Sequence, residues 1–431
     1  MKKILAILMA LAMVLSFAAC GSSSSEGGSV YWLNFKPESD EALKEIAAMY
    51  TEETGVEVKI VTAASGTYNE TLTAEMDKTE APTIFVVGNA AAAETWGEYC
   101  LDLKGTAIEK ELNTDAYNIY DADGKLCSIG YTYECYGIIV NTALLEEAGY
   151  AKDYITNFAT LKEVAEDVHA RSAELGFDAF APADMDSSSS WRFTGHMINM
   201  EYYYEYRDDP EAWAGDYGPT ELTGAYMDNY RNLFDLMVNN STVERSALAN
   251  GGNDAQSVFA SGEALFYPQG SWEWPSLEGK GMKAEDLTMI PYYGDVEGEE
   301  KAGLNCGTEN CWAINAKASK ADQKATMDFL VWLVTDPEAS EIAVSSFGVM
   351  PYKSAVASTN PFLAIANEYA NNGHYTMPWV TNFQPNVDAY RAAVVSAINA
   401  YNADPSDANW NTVVTAFIDG WAVQYKAAHA E

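Results

Sequence analysis

The stretch "VYWLNFKPESDEALKEIAAMYTEETGVEVKIV" (residues 30–61) has the pattern of a strand, a helix and a second strand. Its middle part has one apolar helical stripe, acidic residues in the first turn and Gly55 as a stop signal. A further helix is predicted over about 68–78, and the continuous apolar run "APTIFVV" (81–87) predicts a buried parallel strand. This alternation predicts an α/β fold with a doubly wound sheet.

The chain begins with "MKKILAILMALAMVLSFAACGSSSSEGG", in which two lysines precede an apolar run, as in a secretory signal peptide. The segment "FAAC" resembles a bacterial lipobox, so residues 1–19 are expected to be a lipoprotein signal peptide and Cys20 the lipidated N-terminus. Two acyl chains on Cys20 would anchor the protein stably. The alternative is an ordinary signal peptide with an incidental cysteine. Residues 20–28, rich in Gly and Ser, are expected to form a flexible tether.

Composition limits the classes of protein that fit. The chain of 431 residues is too long for one ordinary core and suits two lobes. Its 63 acidic and 25 basic residues give a formal net charge of −38, which repels nucleic acid and excludes it as an expected partner. A hydrophobic content of 48% rules out global disorder. No apolar run after the signal peptide is long enough to span a bilayer.

Cysteine and histidine usage predicts neither a metal site nor a full disulfide framework. Five cysteines follow Cys20, and this odd number argues against complete pairing. A bond between Cys306 and Cys311, or between Cys127 and Cys135, stays open. The four histidines are scattered without the spacing of metal ligands. No cofactor is expected.

Enzymatic motifs are absent: the chain has no GxSxG, P-loop, HExxH or GxGxxG sequence. A pair of glycosidase carboxylates leaves no sequence signature, so a cell-surface glycoside hydrolase is the alternative function. A surface adhesin would predict internal repeats, and none is found. The segment "DADG" (121–124) superficially suggests a calcium loop, but it lacks the later ligands and predicts a hairpin turn.

Aromatic residues point to sugar binding. The chain has 27 Tyr, 15 Phe and 11 Trp, and the majority of these rings are expected to be core. Flat sugar faces stack on Trp and Tyr rings, and sugar hydroxyls pair with carboxylates and amides. Trp332 lies on an apolar helical stripe and is expected to be core. Six others lie beside polar or Gly-containing stretches: Trp32, Trp191, Trp272, Trp274, Trp312 and Trp379.

Several blocks, in this order, resemble the family 1 extracellular solute-binding proteins of ABC transporters, the group of the maltodextrin-binding protein. The resemblance extends over nearly the whole chain after the tether. The blocks are "VYWLNFKPESDEALKEIAAMYTEETG", "TEAPTIFVVGNAAAAETWGEY", "DGKLCSIGYTYECYGIIVNTALLEEAGY", "TLKEVAEDVHARSAELG", "FASGEALFYPQGSWEW", "CWAINAKASKADQKATMDFLVWLVTDPEASEIAV" and "FGVMPYKSA".

The resemblance implies a two-lobe periplasmic-binding-protein-like fold of type II, with a doubly wound sheet in each lobe and the ligand cleft between them. The N-terminal lobe would comprise 29–138 with 303–345, and the C-terminal lobe 139–302 with 346–431. The implied function is capture of a carbohydrate, an oligosaccharide in particular, and its delivery to the transmembrane subunits of an ABC permease. Such a receptor is a monomer without catalytic activity, tied through Cys20 to the extracytoplasmic face of the cell membrane.

The resemblance also implies site residues. Trp32, Asn34 and Lys36 after the first strand, and Asn89 after "IFVVG", would face the cleft from the first lobe. Glu134 matches an acidic hinge position that accepts sugar hydroxyls, and its apolar neighbours predict a buried carboxylate that needs a partner. The alternative is a solvent-facing Glu134. The second lobe would supply aromatic platforms: Trp272 first, Trp274 as its alternative, and Trp191 and Trp379.

Overall fold

The computed structural model describes residues 27–186 and 189–429. The expected signal peptide, Cys20 and most of the expected tether lie outside the described residues. Within the described ranges, no helix combines the length and apolar character needed to cross a bilayer.

The described residues form two mixed sheets with helices packed on their faces, so the two-lobe α/β fold is confirmed. The strands are β1 (Val30–Asn34), β2 (Val58–Thr62), β3 (Ile84–Val86), β4 (Ile119–Tyr120), β5 (Leu126–Gly130), β6 (Glu134–Asn141), β7 (Asp178–Phe180), β8 (Ala264–Gly270), β9 (Leu287–Ile290), β10 (Ala302–Gly307), β11 (Cys311–Ile314) and β12 (Tyr375–Pro378). The α-helices are Asp40–Thr54, Tyr68–Met76, Ala90–Trp96, Ala107–Glu111, Thr142–Glu147, Phe158–Ala170, Ser172–Leu175, Ile198–Asp208, Met227–Asn239, Ala255–Ala260, Trp274–Gly279, Lys320–Thr335, Pro337–Phe347, Pro361–Asn371, Val387–Ala403 and Asp407–Ala428.

The first sheet has the order β2-β1-β3-β11-β5-β4. The helix Asp40–Thr54 ends at Gly55, whose φ of 74° is the left-handed conformation that glycine adopts at helix ends. Strands β2 and β3 flank β1 in parallel, while β11 is antiparallel to both β3 and β5. The sheet is therefore parallel only in the part that the opening stretch of sequence predicts. β4 and β5 form the hairpin predicted around "DADG".

Alternation along β1 places its side chains in two separate cores. Val30 and Trp32 pack on one face with the helices Asp40–Thr54 and Lys320–Thr335. Leu33 points to the other face, where it packs with the helix Tyr68–Met76. Successive strand residues point to opposite faces, so helices on both sides bury the whole strand.

The second sheet has the order β12-β10-β6-β8-β7, and β9 also pairs with β6. It is mixed, with β12 parallel to β10, β7 parallel to β8, and β6 antiparallel to its partners. The largest apolar core of the described chain lies in this lobe and contains a high share of Tyr and Trp. Most of the aromatic residues are thus structural.

The connections between the sheets lie slightly away from the boundaries expected at 138 and 303. β6 already belongs to the second sheet at Glu134, and β10 stays in it up to Gly307. The chain therefore passes between the lobes at 131–133 and again at 308–310. A third segment runs beside the first, because Tyr133 forms a β-bridge with Val349. Paired strands on either side of each crossing set these boundaries.

All five cysteines in the described residues are buried free thiols. Cys306 lies in β10 and Cys311 in β11, which belong to different sheets. Cys127 in β5 and Cys135 in β6 are likewise in different sheets. Neither pair considered from the sequence is bonded. The described part of the chain also contains no group of His, Cys, Asp and Glu able to hold a metal ion.

Candidate functional site

The loop after β1 carries a buried cation to the junction of the lobes. The side chain of Asn34 shapes this loop: its Oδ1 accepts a hydrogen bond from the Lys36 backbone N–H (3.0 Å), and its Nδ2 donates to the Lys36 carbonyl (2.6 Å) and to Thr62 Oγ1 (3.1 Å). The Asn34 amide is thus fully engaged within the protein. It positions Lys36, which is only 4% exposed.

Lys36 pairs with a carboxylate at the start of β6. Its Nζ lies 2.7 Å from Glu134 Oε1 and 2.8 Å from Glu38 Oε1. The second oxygen of Glu134 accepts a hydrogen bond from Asn310 Nδ2 (2.9 Å), on the second crossing. Glu134 is only 1% exposed, so the solvent-facing alternative for it is wrong. The buried partner that its position requires is the ammonium of Lys36.

Burial and charge act against each other in this ion pair. Burial alone would lower the pKa of Lys36, but the Glu134 and Glu38 carboxylates outweigh it and hold that pKa above its ordinary value. Burial raises the pKa of Glu134 to about 7, although the Lys36 ammonium opposes the rise. Desolvation of a buried pair commonly offsets its attraction in this way.

Five aromatic rings meet beside this pair in the second lobe; we call them the aromatic cluster: Tyr136, Trp191, His196, Trp272 and Trp379. Tyr136 and His196 stack face to face, with ring centroids 3.9 Å apart. Trp272 and Trp379 lie 5.3 Å from His196 and from Tyr136 respectively, and Trp191 lies 4.8 Å from His196. The Lys36 ammonium lies 5.6 Å from the Trp272 ring, so the cluster meets the ion pair across the junction of the lobes.

Local backbone features bring these rings together. A Cβ at Gly270 would lie 2.2 Å from the Trp272 ring, and one at Gly307 would lie 2.9 Å from Trp379. Glycine at both positions therefore lets a tryptophan ring approach the strand backbone closely. His196 belongs to a π-helical turn, Arg192–Met197, a rare element that is frequent at functional sites. Next to it, the Arg192 guanidinium lies 4.1 Å from the Trp191 ring.

Several buried polar atoms at the cluster have no hydrogen-bond partner within the described chain. They are Tyr136 Oη, His196 Nδ1, Trp379 Nε1, Tyr292 Oη and Asn305 Nδ2. Burial lowers the pKa of His196 well below its ordinary value, with the nearby Arg391 and Arg192 adding to the effect. His196 is consequently a neutral ring, able to donate or accept one hydrogen bond. The cluster combines apolar faces with hydrogen-bonding edges, which is the surface a sugar needs.

Of the residues expected from sequence, the structure brings together Lys36, Glu134, Trp191, Trp272 and Trp379, with Asn34 behind Lys36. Tyr136 and His196 were missed. A signal for Tyr136 was available, because it follows Glu134 by two residues and a strand with a period of two places both on one face. His196 offered no signal, since a single histidine in an irregular turn has no sequence pattern.

Two expected residues lie elsewhere, and the side chain of a third, Asn89, is engaged in a helix cap. Trp32 does not face the cleft: it is 0% exposed in the first-lobe core, because alternation along β1 turns it toward the Trp312 ring, 5.6 Å away. Trp274 packs edge-on against Phe362 in a second-lobe core, outside the aromatic cluster. Asn89 caps the helix Ala90–Trp96, where its Oδ1 accepts a hydrogen bond from the Ala92 N–H (2.8 Å).

The lobes are in direct contact around the site. Asn69, on a first-lobe helix, donates a hydrogen bond through Nδ2 to Asp388 Oδ2 on a second-lobe helix (3.0 Å). Together with the contact between Lys36 and Trp272, this bond joins the two lobes.

Glu273, next to Trp272, gives a pH-dependent prediction. Burial raises its pKa to about 7, above the ordinary value of 4.5, against hydrogen bonds from Gln256 and Gln269. A raised folded-state pKa contributes stability at low pH that is lost as pH rises from about 4.5 toward 7. Relative to Glu273→Gln, the unfolding free energy of the parent should fall by about 1 kcal/mol between pH 5 and pH 6. Urea denaturation at both pH values measures this; parallel profiles would contradict it.

Solved structures share this architecture. The complex of the solute-binding protein RafE with raffinose is 18% identical, and the match covers 90% of this chain and 98% of that chain with a TM-score of 0.71. The bacterial solute receptor AcbH is 13% identical over 93% of this chain and 100% of that chain, with a TM-score of 0.69. A family 1 extracellular solute-binding protein from Bifidobacterium longum subsp. infantis is 18% identical over 92% and 100%, with a TM-score of 0.61.

At these identities the likeness is one of fold. No curated protein matches the chain. A family model described as bacterial extracellular solute-binding protein matches residues 45–375, which is most of the chain and includes parts of both lobes. The chain therefore belongs to the bacterial extracellular solute-binding proteins.

Proposed function

We propose that the protein binds a carbohydrate, an oligosaccharide in particular, between its lobes and delivers it to an ABC permease. The aromatic cluster beside the buried Glu134 is the observation that carries this proposal. Its rings offer stacking faces, and the carboxylate together with the unpartnered Tyr136, His196 and Trp379 atoms offers hydrogen bonds to hydroxyls. The structural neighbours include a raffinose complex, a chitin oligosaccharide binding protein and a receptor described as preferring β-D-galactopyranose.

Binding and closure are coupled in this proposal. Lys36 comes from the first lobe and Trp272 from the second, so a ligand between them contacts both lobes only when the lobes are shut. Differential affinity for the shut form would then shift the equilibrium toward it. The permease would recognise the form of the protein in which the lobes are closed. No chemical step is involved, and the residues act by contact alone.

A thermal-shift screen tests the ligand class. The panel should hold oligosaccharides, monosaccharides and glycerophosphocholine, because one structural neighbour was solved with the last compound. A ligand at 100 times its Kd stabilises the protein by about 2.7 kcal/mol. Stabilisation by oligosaccharides supports the proposal, while a response to glycerophosphocholine alone contradicts it. Chromatography of the incubated sugars should show no product; turnover would favour the glycoside hydrolase.

Membrane attachment through Cys20 is a further part of the proposal, supported by the "FAAC" segment and the apolar run before it. The variant Cys20→Ala should lose the acylated sulfur and move from the detergent phase to the aqueous phase, or accumulate unprocessed. Detergent phase partitioning of cell extracts measures this. Cys311→Ala, which changes another cysteine, is the control and should partition like the parent. Unchanged partitioning of Cys20→Ala would refute the anchor.

A further inference from the structure

Two cysteines lie directly opposite each other on neighbouring strands. The register of β6 and β10 pairs Cys135 with Cys306, between the pairs Glu134–Gly307 and Tyr136–Asn305. The two strands are antiparallel, so paired side chains point to the same face of the sheet. Both cysteines accordingly lie in one apolar cluster, which also contains Phe362.

A backbone hydrogen bond shows that Cys135 and Cys306 form a non-hydrogen-bonded pair across the two strands. The Cys135 N–H donates to Ser271 Oγ (3.1 Å), on the side of β8 and away from β10. In an antiparallel strand, the N–H and C=O of one residue point to the same side, so Cys135 and Cys306 exchange no backbone hydrogen bonds. Such non-hydrogen-bonded pairs have Cα atoms about 4.5 Å apart. That spacing falls within the range of about 4.4–6.8 Å that a disulfide bridges.

We propose that Cys135 and Cys306 form a disulfide site, closed by exchange with an external disulfide. One thiolate attacks the external disulfide RSSR, forms a mixed disulfide and releases RS⁻. The second cysteine loses its proton, attacks the mixed disulfide at the protein sulfur and releases the second RS⁻. Two protein thiols are thus oxidised while RSSR is reduced to two RSH. Proteins of an extracellular family meet conditions in which such bonds form and persist.

The bond would link β6 and β10 within the second lobe, next to the two crossings between the lobes. Cys135 follows Glu134 at the start of β6, and Cys306 precedes Gly307 at the end of β10. Burial raises the pKa of Cys306 to about 11 and raises the pKa of Cys135 as well. Since the thiolate is the attacking species, closure is slow at neutral pH and faster at alkaline pH. The bond would leave the two contacts between the lobes, Lys36 with Trp272 and Asn69 with Asp388, unchanged.

Peptide mapping tests the site. The full protein is incubated with oxidised glutathione at alkaline pH in mild denaturant, returned to buffer, blocked with N-ethylmaleimide and digested without reduction. Mass spectrometry should find a peptide that links Cys135 to Cys306. The link should vanish in Cys306→Ser and persist in Cys311→Ser, whose cysteine lies in the other sheet. Linked protein should melt about 5 °C higher than reduced protein, and dithiothreitol should reverse the shift.

Recovery of Cys135 and Cys306 as separate peptides, each labelled by maleimide or glutathione, would overturn the proposal. A link from Cys135 to any other cysteine would overturn it too. The map of the parent protein decides the question even if Cys306→Ser fails to fold. The proposal is independent of the ligand class, because the experiment uses no sugar.

Discussion

Glu134→Gln should weaken sugar binding by about 1.5–3 kcal/mol, roughly a 10-fold to 150-fold rise in Kd. The carboxylate lies between the Lys36 ammonium and the Asn310 amide, at the junction that a ligand must contact from both lobes. Gln keeps the shape but loses the charge that strengthens hydrogen bonds to hydroxyls. Calorimetry with the sugar found in the thermal-shift screen measures the change.

The stability of this variant should fall at neutral pH. Glu134→Gln leaves the buried Lys36 ammonium with Glu38 as its remaining carboxylate partner, and removing one charge of a buried ion pair is destabilising. Glu273→Gln is the matched control, because its carboxyl also has a pKa of about 7 but bonds to Gln256 and Gln269. It should bind sugar normally; unchanged affinity in Glu134→Gln would remove Glu134 from the site.

Trp272→Ala should weaken sugar binding by about 1–3 kcal/mol while the protein remains folded. The Trp272 ring is half-buried, packs closely against Gly270 and lies edge-on to the rings of His196 and Trp191. A stacking platform removed at this point cannot be replaced by a neighbour, since the other rings of the cluster pack on one another. Calorimetry and circular dichroism on the purified variant measure affinity and folding together.

Trp274→Ala serves as the matched control for Trp272→Ala. It lies two residues further along but packs against Phe362, away from the aromatic cluster. We expect it to lower the melting temperature and to leave the Kd unchanged. The opposite result, with affinity lost in Trp274→Ala and kept in Trp272→Ala, would show that the stacking platform is Trp274 and not Trp272.

Local sequence patterns predicted the elements well where a single segment decides its own structure. The helix Asp40–Thr54 with Gly55 as its end follows from an apolar stripe and one glycine. The direction of each strand within its sheet was harder to predict from sequence. Strand β11 runs antiparallel in the first sheet because the chain returns from the second lobe, and no local pattern reports the direction of a return.

The site residues also divide into those that a single segment of sequence predicts and those that depend on the whole fold. Trp272 beside Gly270 could be predicted, because the glycine and the ring are close in sequence. The partner of Glu134 could not be predicted, because Lys36 is 98 residues away in the sequence and comes close to Glu134 only in the folded chain. Trp32 was misplaced because a strand-end position was inferred from the order of blocks, whereas the alternation of β1 turns this ring into the core.

The position of β11 has a consequence for biosynthesis. This strand lies between β3 and β5, yet it emerges from the ribosome some 180 residues after β5. The first sheet therefore cannot be completed until residues 134–307 of the second lobe have been synthesised. Strand pairings so distant in sequence form slowly. A nascent chain should therefore stay incompletely folded for most of its translation.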